Sequence, residues 1–261
     1  MCLIIFAWQQ RPDASLLLAA NRDEFHARPS AELAFWKDDS NVLAGRDLEA
    51  HGTWLGVSRS GRFAAVTNVR DPNGARAKSV RSRGDLPGNF LRGVATPMEY
   101  LMQIAEVAME YQGFNLLVGD GKTLAYINKD EDEISQPREL TPGVYGVSNA
   151  SIDTPWPKLV AGKAKLEGLL ESGEMIPAHE SLRRCIHGRA LASTDQLHDV
   201  GLKGEMAKQL STQFIVTPSY GTRCSSTVRI YPDGSLDIEE QRFDPIGAVS
   251  GSSHFSLEAL S

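Results

Sequence analysis

The sequence predicts an α+β fold in which antiparallel sheets lie between helical layers. Three observations lead there. Hairpin signals stand at both ends of the chain, with helical periodicity between them and no βαβ alternation. The first two strands, Leu3-Ile4-Ile5-Phe6-Ala7-Trp8 and Ser15-Leu16-Leu17-Leu18-Ala19-Ala20-Asn21, are apolar at consecutive positions, the pattern of strands covered on both faces. A chain of 261 residues also buries roughly 70–75% of its unfolded surface without covalent staples.

Taken in order, the first hairpin joins 3–8 to 15–21 through the loop Gln9-Gln10-Arg11-Pro12-Asp13. A second joins 53–58 to 62–68 about Arg59-Ser60-Gly61. Asp71-Pro72-Asn73-Gly74 and the basic positions Arg76, Lys78, Arg81 and Arg83 read as an exposed loop. Asp85 is placed as the N-cap of a short helix carrying Leu86, Phe90 and Leu91. Thr96-Pro97 opens a longer one, with Met98, Leu101, Met102, Ala105 and Ala108 on one face. Strands return at 114–119 and 123–127, about Asp120-Gly121-Lys122, and again at 143–149. Asp153-Thr154-Pro155 is read as the start of a helix with Trp156, Leu159, Val160 and Leu166 facing inward. Residues 172–213 are polar, with short helical pieces. A third hairpin joins 219–230 to 236–243 about Pro232-Asp233-Gly234-Ser235. The chain 1–261 reads as one domain, its Gly- and Ser-rich tail from about residue 245 peripheral.

Composition narrows the function. Hydrophobic residues make up 41% and charged residues 23%, which excludes wholesale disorder. Twenty-seven basic residues against thirty-three acidic give a net charge of −6, so the chain is expected to bind neither nucleic acid nor an anionic membrane. No run of apolar residues is long enough to span a bilayer as a helix. The start Met1-Cys2-Leu3-Ile4-Ile5-Phe6 lacks a basic segment and is too short for a secretory signal, so it reads as a buried strand. Three cysteines, Cys2, Cys185 and Cys224, are an odd count, which argues for a reducing, cytoplasmic setting. No Cys-x-x-Cys occurs and the six histidines show no ligand spacing, so neither metal nor cofactor is assigned.

The sharpest chemical feature is Cys2. Removal of Met1 leaves a residue carrying both a thiol, with an ordinary pKa of about 8.5, and an α-amine, at about 7.7–8.0. One residue then supplies nucleophile and general base together. The second feature is Asn21-Arg22-Asp23-Glu24 at the end of the second strand. Hairpin pairing sets position 2 opposite positions 21–23, within cross-strand reach. Asp23 can hold the freed amine, and Arg22 can stabilise a thiolate or a substrate anion. Adjacent strand residues point to opposite faces, however. Asn21 and Asp23 share a face, which leaves Asn21 as an alternative partner of Cys2.

Met1-Cys2, Leu18-Ala19-Ala20-Asn21-Arg22-Asp23-Glu24-Phe25, Arg28-Pro29 and Gly52-Thr53-Trp54-Leu55-Gly56 resemble the NRDE family, which includes the transport and Golgi organisation protein 2 homologues. Further blocks continue the likeness in family order through about residue 230: Thr67-Asn68, Arg83-Gly84, Gly113-Phe114-Asn115-Leu116, Tyr145-Gly146-Val147-Ser148-Asn149, Thr154-Pro155-Trp156-Pro157-Lys158-Leu159 and Tyr220-Gly221-Thr222-Arg223. The resemblance implies a fold similar to the N-terminal nucleophile hydrolases, a four-layer αββα sandwich of two antiparallel sheets between helices. It further implies a site of Cys2, Arg22 and Asp23, with Asn68 and Asn149 as oxyanion or substrate-positioning amides and Arg223 as a late arginine. Glu24, Trp54 and Thr67 are carried as supporting residues. Where hydrolases of that group separate their Arg and Asp, Arg22 and Asp23 are adjacent.

Two functions stay open. One is a cysteine amidohydrolase or acyl transferase acting on an amide or thioester of a small acyl compound. The other, implied only by the resemblance, is a carrier of haem or of a lipid or acyl-coenzyme A ligand in the same cleft. The partner in both is a small molecule.

Overall fold

The computed structural model describes residues 2–69, 81–130, 133–173, 175–199 and 205–259. The loop expected at 71–78 lies outside the described residues. Six strands form one antiparallel sheet: β1 (Cys2–Arg11), β2 (Ala14–Phe25), β11 (Gly143–Val147), β12 (Tyr220–Ile230), β13 (Leu236–Phe243) and β14 (Val249–Leu257), ordered β11-β1-β2-β12-β13-β14. The second sheet runs β10-β8-β7-β6-β5-β4-β3, with β9 also paired to β8. It holds β3 (Ser30–Phe35), β4 (Val42–Asp47), β5 (Leu55–Ser58), β6 (Phe63–Asn68), β7 (Phe114–Gly119), β8 (Leu124–Asp130), β9 (Glu133–Ile134) and β10 (Arg138–Glu139).

The helices are α1 (Asp85–Arg92), α2 (Pro97–Val107), α3 (Pro157–Glu171), α4 (His179–Arg184), α5 (Thr194–Asp199) and α6 (Glu205–Gln209). Strand alternation sorts the side chains into three apolar layers. Ile4, Phe6, Trp8, Leu16 and Leu18 meet Leu43, Val57, Phe63 and Leu117 between the sheets. Val42, Ala64, Leu116 and Val118 face Leu86, Phe90, Leu101 and Ile104 of α1 and α2. Leu3, Ile5, Ala7, Leu17 and Ala19 face Leu159, Leu166 and Leu182 of α3 and α4. The architecture is the expected four-layer αββα sandwich, and the double-sided burial of β1 and β2 explains their unbroken apolar runs.

Local details depart from the sequence reading for identifiable reasons. The first hairpin is tighter than expected, since Arg11 pairs with Ala14 across Pro12-Asp13. A register shift after Trp8, with Gln9 at φ 49°, absorbs the polar residues into β1. Asp85 is the first residue of α1 and not its cap, a place taken by Gly84. Gly84 sits where a Cβ on Gly52 would lie 2.4 Å from its carbonyl carbon, so only paired glycines let α1 start this close to the second sheet. Thr96 caps α2 with Glu99 in a reciprocal capping box, as the sequence pattern requires.

The helix expected from Asp153 starts later, at Pro157, whose missing N–H suits the first helical position. Val160, expected to face inward, is half exposed. Strands β3 and β4 have no counterpart in the sequence reading. Their ladder is broken between Ala31 and Ala34, which erases the period-two pattern in β3. The tail adds an edge strand to the first sheet. Its β14 pairs with β13 from Leu236–Leu257 to Phe243–Val249, and Phe255 packs edge-on to Phe35 at 5.7 Å. Small Ser and Gly side chains suffice there because β14 is an exposed edge.

Ending the chain after Asp244 is expected to lower the unfolding free energy by about 2–4 kcal/mol and the denaturant midpoint with it, because it removes the burial of Phe255 and Leu257 and opens the β13 edge. An unchanged midpoint would show β14 to be dispensable.

Candidate active site

The site forms at the open ends of β1, β2 and β12. Cys2 is in register with Arg22, and Leu3 with Asn21. Leu3 packs under the helices and Ile4 between the sheets. Alternation therefore sends Arg22 into the inter-sheet space and both Asn21 and Asp23 toward the helical layer. Cys2, as the first residue of its strand, is acted on by charges from both faces: Asp23, Arg22 and the chain's amino terminus. The adjacency of Arg22 and Asp23 is thus accommodated without bending β2.

Arg22 is 5% exposed, which makes its environment decisive. Its Nη2 donates to Asp47 Oδ2 at 3.2 Å, and its guanidinium stacks over Trp54 at 4.4 Å. Trp54 is held in turn against Gly45, where a Cβ would lie 2.3 Å from the indole. Asp47 also accepts from Arg28 Nε at 2.6 Å and from the backbone N–H groups of Glu49 and Ala50. These bonds hold the Asp47 carboxyl below the usual carboxylate range although burial works the other way.

Asp23 is buried, and its Oδ1 accepts from Thr222 Oγ1 at 2.7 Å. Burial pushes its carboxyl up, against the pull of the amino terminus, Lys158 and Thr222. Burial likewise pushes the Cys2 thiol above its ordinary value, opposed by the amino terminus, the Asp23 backbone N–H and Arg22. A protonated thiol needs a base before it can attack.

The remaining expected residues divide. Ser148 Oγ donates to the Cys2 carbonyl at 2.9 Å and lies 3.1 Å from Asn149 Oδ1. Asn149 Nδ2 donates to the Asn68 carbonyl at 2.8 Å. Asn149 is buried, and one hydrogen of its Nδ2 ties the end of β6 to the loop after β11, which leaves its second Nδ2 hydrogen as a further donor. The partly exposed Asn68 side chain makes no hydrogen bond to other described residues. Thr67 Oγ1 donates to the Ser148 carbonyl at 2.5 Å and accepts from Asn115 Nδ2 at 2.9 Å. It positions this loop from below.

Asn21 is not a partner of Cys2. Its Nδ2 donates to the carbonyls of Ile186 and Gln213 at 2.9 and 2.8 Å, and its Oδ1 accepts from Ser225 Oγ at 2.6 Å. All of these lie on the helical side. Arg223 occupies the bulge of β12 between Thr222 and Cys224. Its Nη1 donates to the carbonyls of Phe25, His26 and Arg28, clamping the chain that leaves β2. Glu24 accepts from the Phe25 N–H at 2.9 Å. Cys185 and Cys224 are free thiols in packed surroundings. No cluster of three or more metal-ligating side chains occurs among the described residues.

Residues 1–245 match the Transport and Golgi organisation 2 family. The chain belongs to that family. A Transport and Golgi organization protein 2 homolog of Bos taurus is 34% identical over 284 residues, covering 99% of this chain and all of the relative. The Homo sapiens homolog is 34% identical over 262 residues, covering 92% of each. Among solved structures, a mutant conjugated bile acid hydrolase from Clostridium perfringens aligns with a TM-score of 0.54 at 9% identity, over 99% of this chain and 92% of that one. At that identity the likeness is one of fold, the sandwich of the N-terminal nucleophile hydrolases.

Two site residues escaped the sequence reading. Asp47 lies on β4, a strand without a periodic signal. Lys158 had a signal: it stands four residues before Gly162 and eight before Leu166, on the buried stripe of α3. A lysine there is out of pattern.

The Asn21 network extends through Ser225 to His187, whose Nε2 lies 2.9 Å from Ser225 Oγ. Burial pushes His187 down to about 4, and His179 nearby on α4 to about 3. Both folded values lie below the ordinary value of about 6.5, so their contribution to stability is full above pH ~6.5 and is lost as pH falls from there toward the folded values. His187→Gln is expected to flatten the loss of denaturant midpoint between about pH 6.5 and 4. An acid slope equal to that of the unaltered protein would contradict this assignment.

Proposed function

We propose that this protein is a cysteine amidohydrolase or acyl transferase whose nucleophile is Cys2, exposed by removal of Met1, acting on an amide or thioester of a small acyl compound. The observation that supports it most is the convergence of Cys2 with Arg22 and the buried Asp23 at one strand end. Ion pairs placed only for stability rarely concentrate opposite charges beside a thiol in so little water. Membership in a fold class that includes a conjugated bile acid hydrolase is consistent with acyl chemistry, without naming the substrate.

The residues divide the reaction among them. The Cys2 α-amine takes the thiol proton, and the thiolate attacks the carbonyl carbon of the substrate. Asn68 donates to the oxyanion, a contact worth about 3 kcal/mol where well placed. Asp23 holds the α-nitrogen in place, and Arg22 offsets the negative charge on sulfur. Collapse of the tetrahedral intermediate breaks the bond to the leaving nitrogen or sulfur, which takes the proton from the α-ammonium. Water, or a second acceptor, then attacks the acyl-cysteine and restores the thiol.

Intact mass measurement is expected to find Met1 removed. Incubation with a panel of N-acyl amides and acyl thioesters is expected to trap an acyl adduct on the Cys2 peptide. Cys2→Ala should abolish the adduct, and Asn68→Ala should slow turnover by about 100-fold. A retained Met1, or a panel that acylates Cys2→Ala protein equally, would overturn the reading.

A further inference from the structure

Lys158 is the second residue of α3 and only 3% exposed. Its Nζ is buried without a hydrogen-bond partner among the described residues. Three separate penalties fall on it. Burial disfavours its charge, the positive end of the α3 dipole repels it, and no acceptor repays its lost hydration. The Trp156 ring, 5.7 Å from Nζ, offers partial relief.

Its placement gives the reason. Helix α3 packs on the outer face of β1, with Gly162 against Ile5. One turn earlier, Lys158 reaches the end of the sheet where Asp23 projects toward the helices. The charges acting on Lys158 are Asp23 from β2 and the Cys2 sulfur from β1. Those acting on Cys2 are the amino terminus, Asp23 and, from the opposite face, Arg22, while Glu24 acts on Asp23. Lys158 thus acts on Asp23 and Cys2, the two groups on which the chain's amino terminus also acts.

We propose that Lys158 is the positioning cation of this site: its ammonium offsets the Asp23 carboxylate, so that the α-amine of Cys2 is neutral at physiological pH and free to accept the thiol proton. The proposal rests on the reading of Cys2 as an N-terminal nucleophile. Asp23 alone would hold the amine as an ammonium, which cannot act as a base. A fixed cation acting on Asp23 leaves the carboxylate as an orienting acceptor while offsetting its effect on the amine. The same cation lowers the energy of the thiolate. Asp23 and Lys158 are two buried groups of opposite charge, so their summed charge at the nucleophile is close to zero. Burial pushes Lys158 down and Asp23 up, so each relies on the other to stay charged.

The test uses the full-length processed protein and iodoacetamide. In that reaction a carbon–sulfur bond forms at Cys2, iodide leaves and the thiol proton passes to the α-amine. The alkylation rate of the Cys2 peptide is followed by mass spectrometry between about pH 5 and 9, a range that brackets both groups. Lys158→Met is expected to move the midpoint upward by about one pH unit and to slow alkylation at pH 7 roughly tenfold. Lys158→Arg is expected to keep the original midpoint. A folded Lys158→Met protein with an unshifted midpoint overturns the proposal while leaving Cys2 as nucleophile. A processed protein whose Cys2 reacts no faster than a peptide cysteine at any pH overturns both readings. Should the Met variant fail to fold, lysine-selective NMR of the unaltered protein supplies the readout. The Lys158 resonance, assigned by its absence in Lys158→Arg, should change its titration when Cys2 is alkylated, and an unresponsive resonance overturns the proposal.

Discussion

The site depends on the pleat of one strand. In β2, Arg22 and Asp23 are neighbours in sequence, and the alternation of strand side chains separates them completely: the cation enters the space between the sheets and the anion enters the layer beneath the helices. Two charges that would otherwise neutralise each other are kept apart by the sheet itself. Cys2, at the end of the adjacent strand, lies where both faces open. It therefore lies within the field of each charge without either being diverted to the other.

This separation sets the requirements on the rest of the molecule. A guanidinium 5% exposed needs a carboxylate and a π-face, and Asp47 and Trp54 supply them. A buried carboxylate needs donors, and Thr222 supplies one. Asp47 is shared with Arg28, so the chain after β2 is pulled back onto β4. Arg223, displaced by the bulge in β12, clamps the same stretch through three carbonyls. These bonds fix the open end of β2 from both sides, which a preorganised site requires.

Beneath the loop that carries Ser148 and Asn149 lies a second polar group. Asn115 donates to Thr67 and to the Ala150 carbonyl, and its own carbonyl oxygen accepts from Tyr126 and Asn128. Every polar atom of its amide is used. A fully satisfied network of this kind is rigid, because any rotation leaves a buried group without a partner. It holds Ser148 under the Cys2 carbonyl and so fixes the start of β1 from the side opposite to Asp23.

The sequence by itself determined the sheets between helical layers, the three hairpins and the facing of Cys2 and positions 21–23, because these follow from periodicity and pairing, which are local. It also determined the αβ boundaries marked by strong caps, as at Thr96. It did not determine β3 and β4, whose broken ladder hides the alternation, nor β14, an edge strand built of small polar residues. Among the site residues, tertiary structure alone decided which amides are free. Asn21, Asn68 and Asn149 look alike as strand-end asparagines, and only their distant partners distinguish them: Ile186 and Gln213 take both amide hydrogens of the first, and the Asn68 backbone takes one of the last. Lys158 was decided in the same way. Its stripe on α3 can be read locally, but the carboxylate that gives it a purpose comes from a strand more than a hundred residues earlier, and only the packing of helix on sheet brings them together.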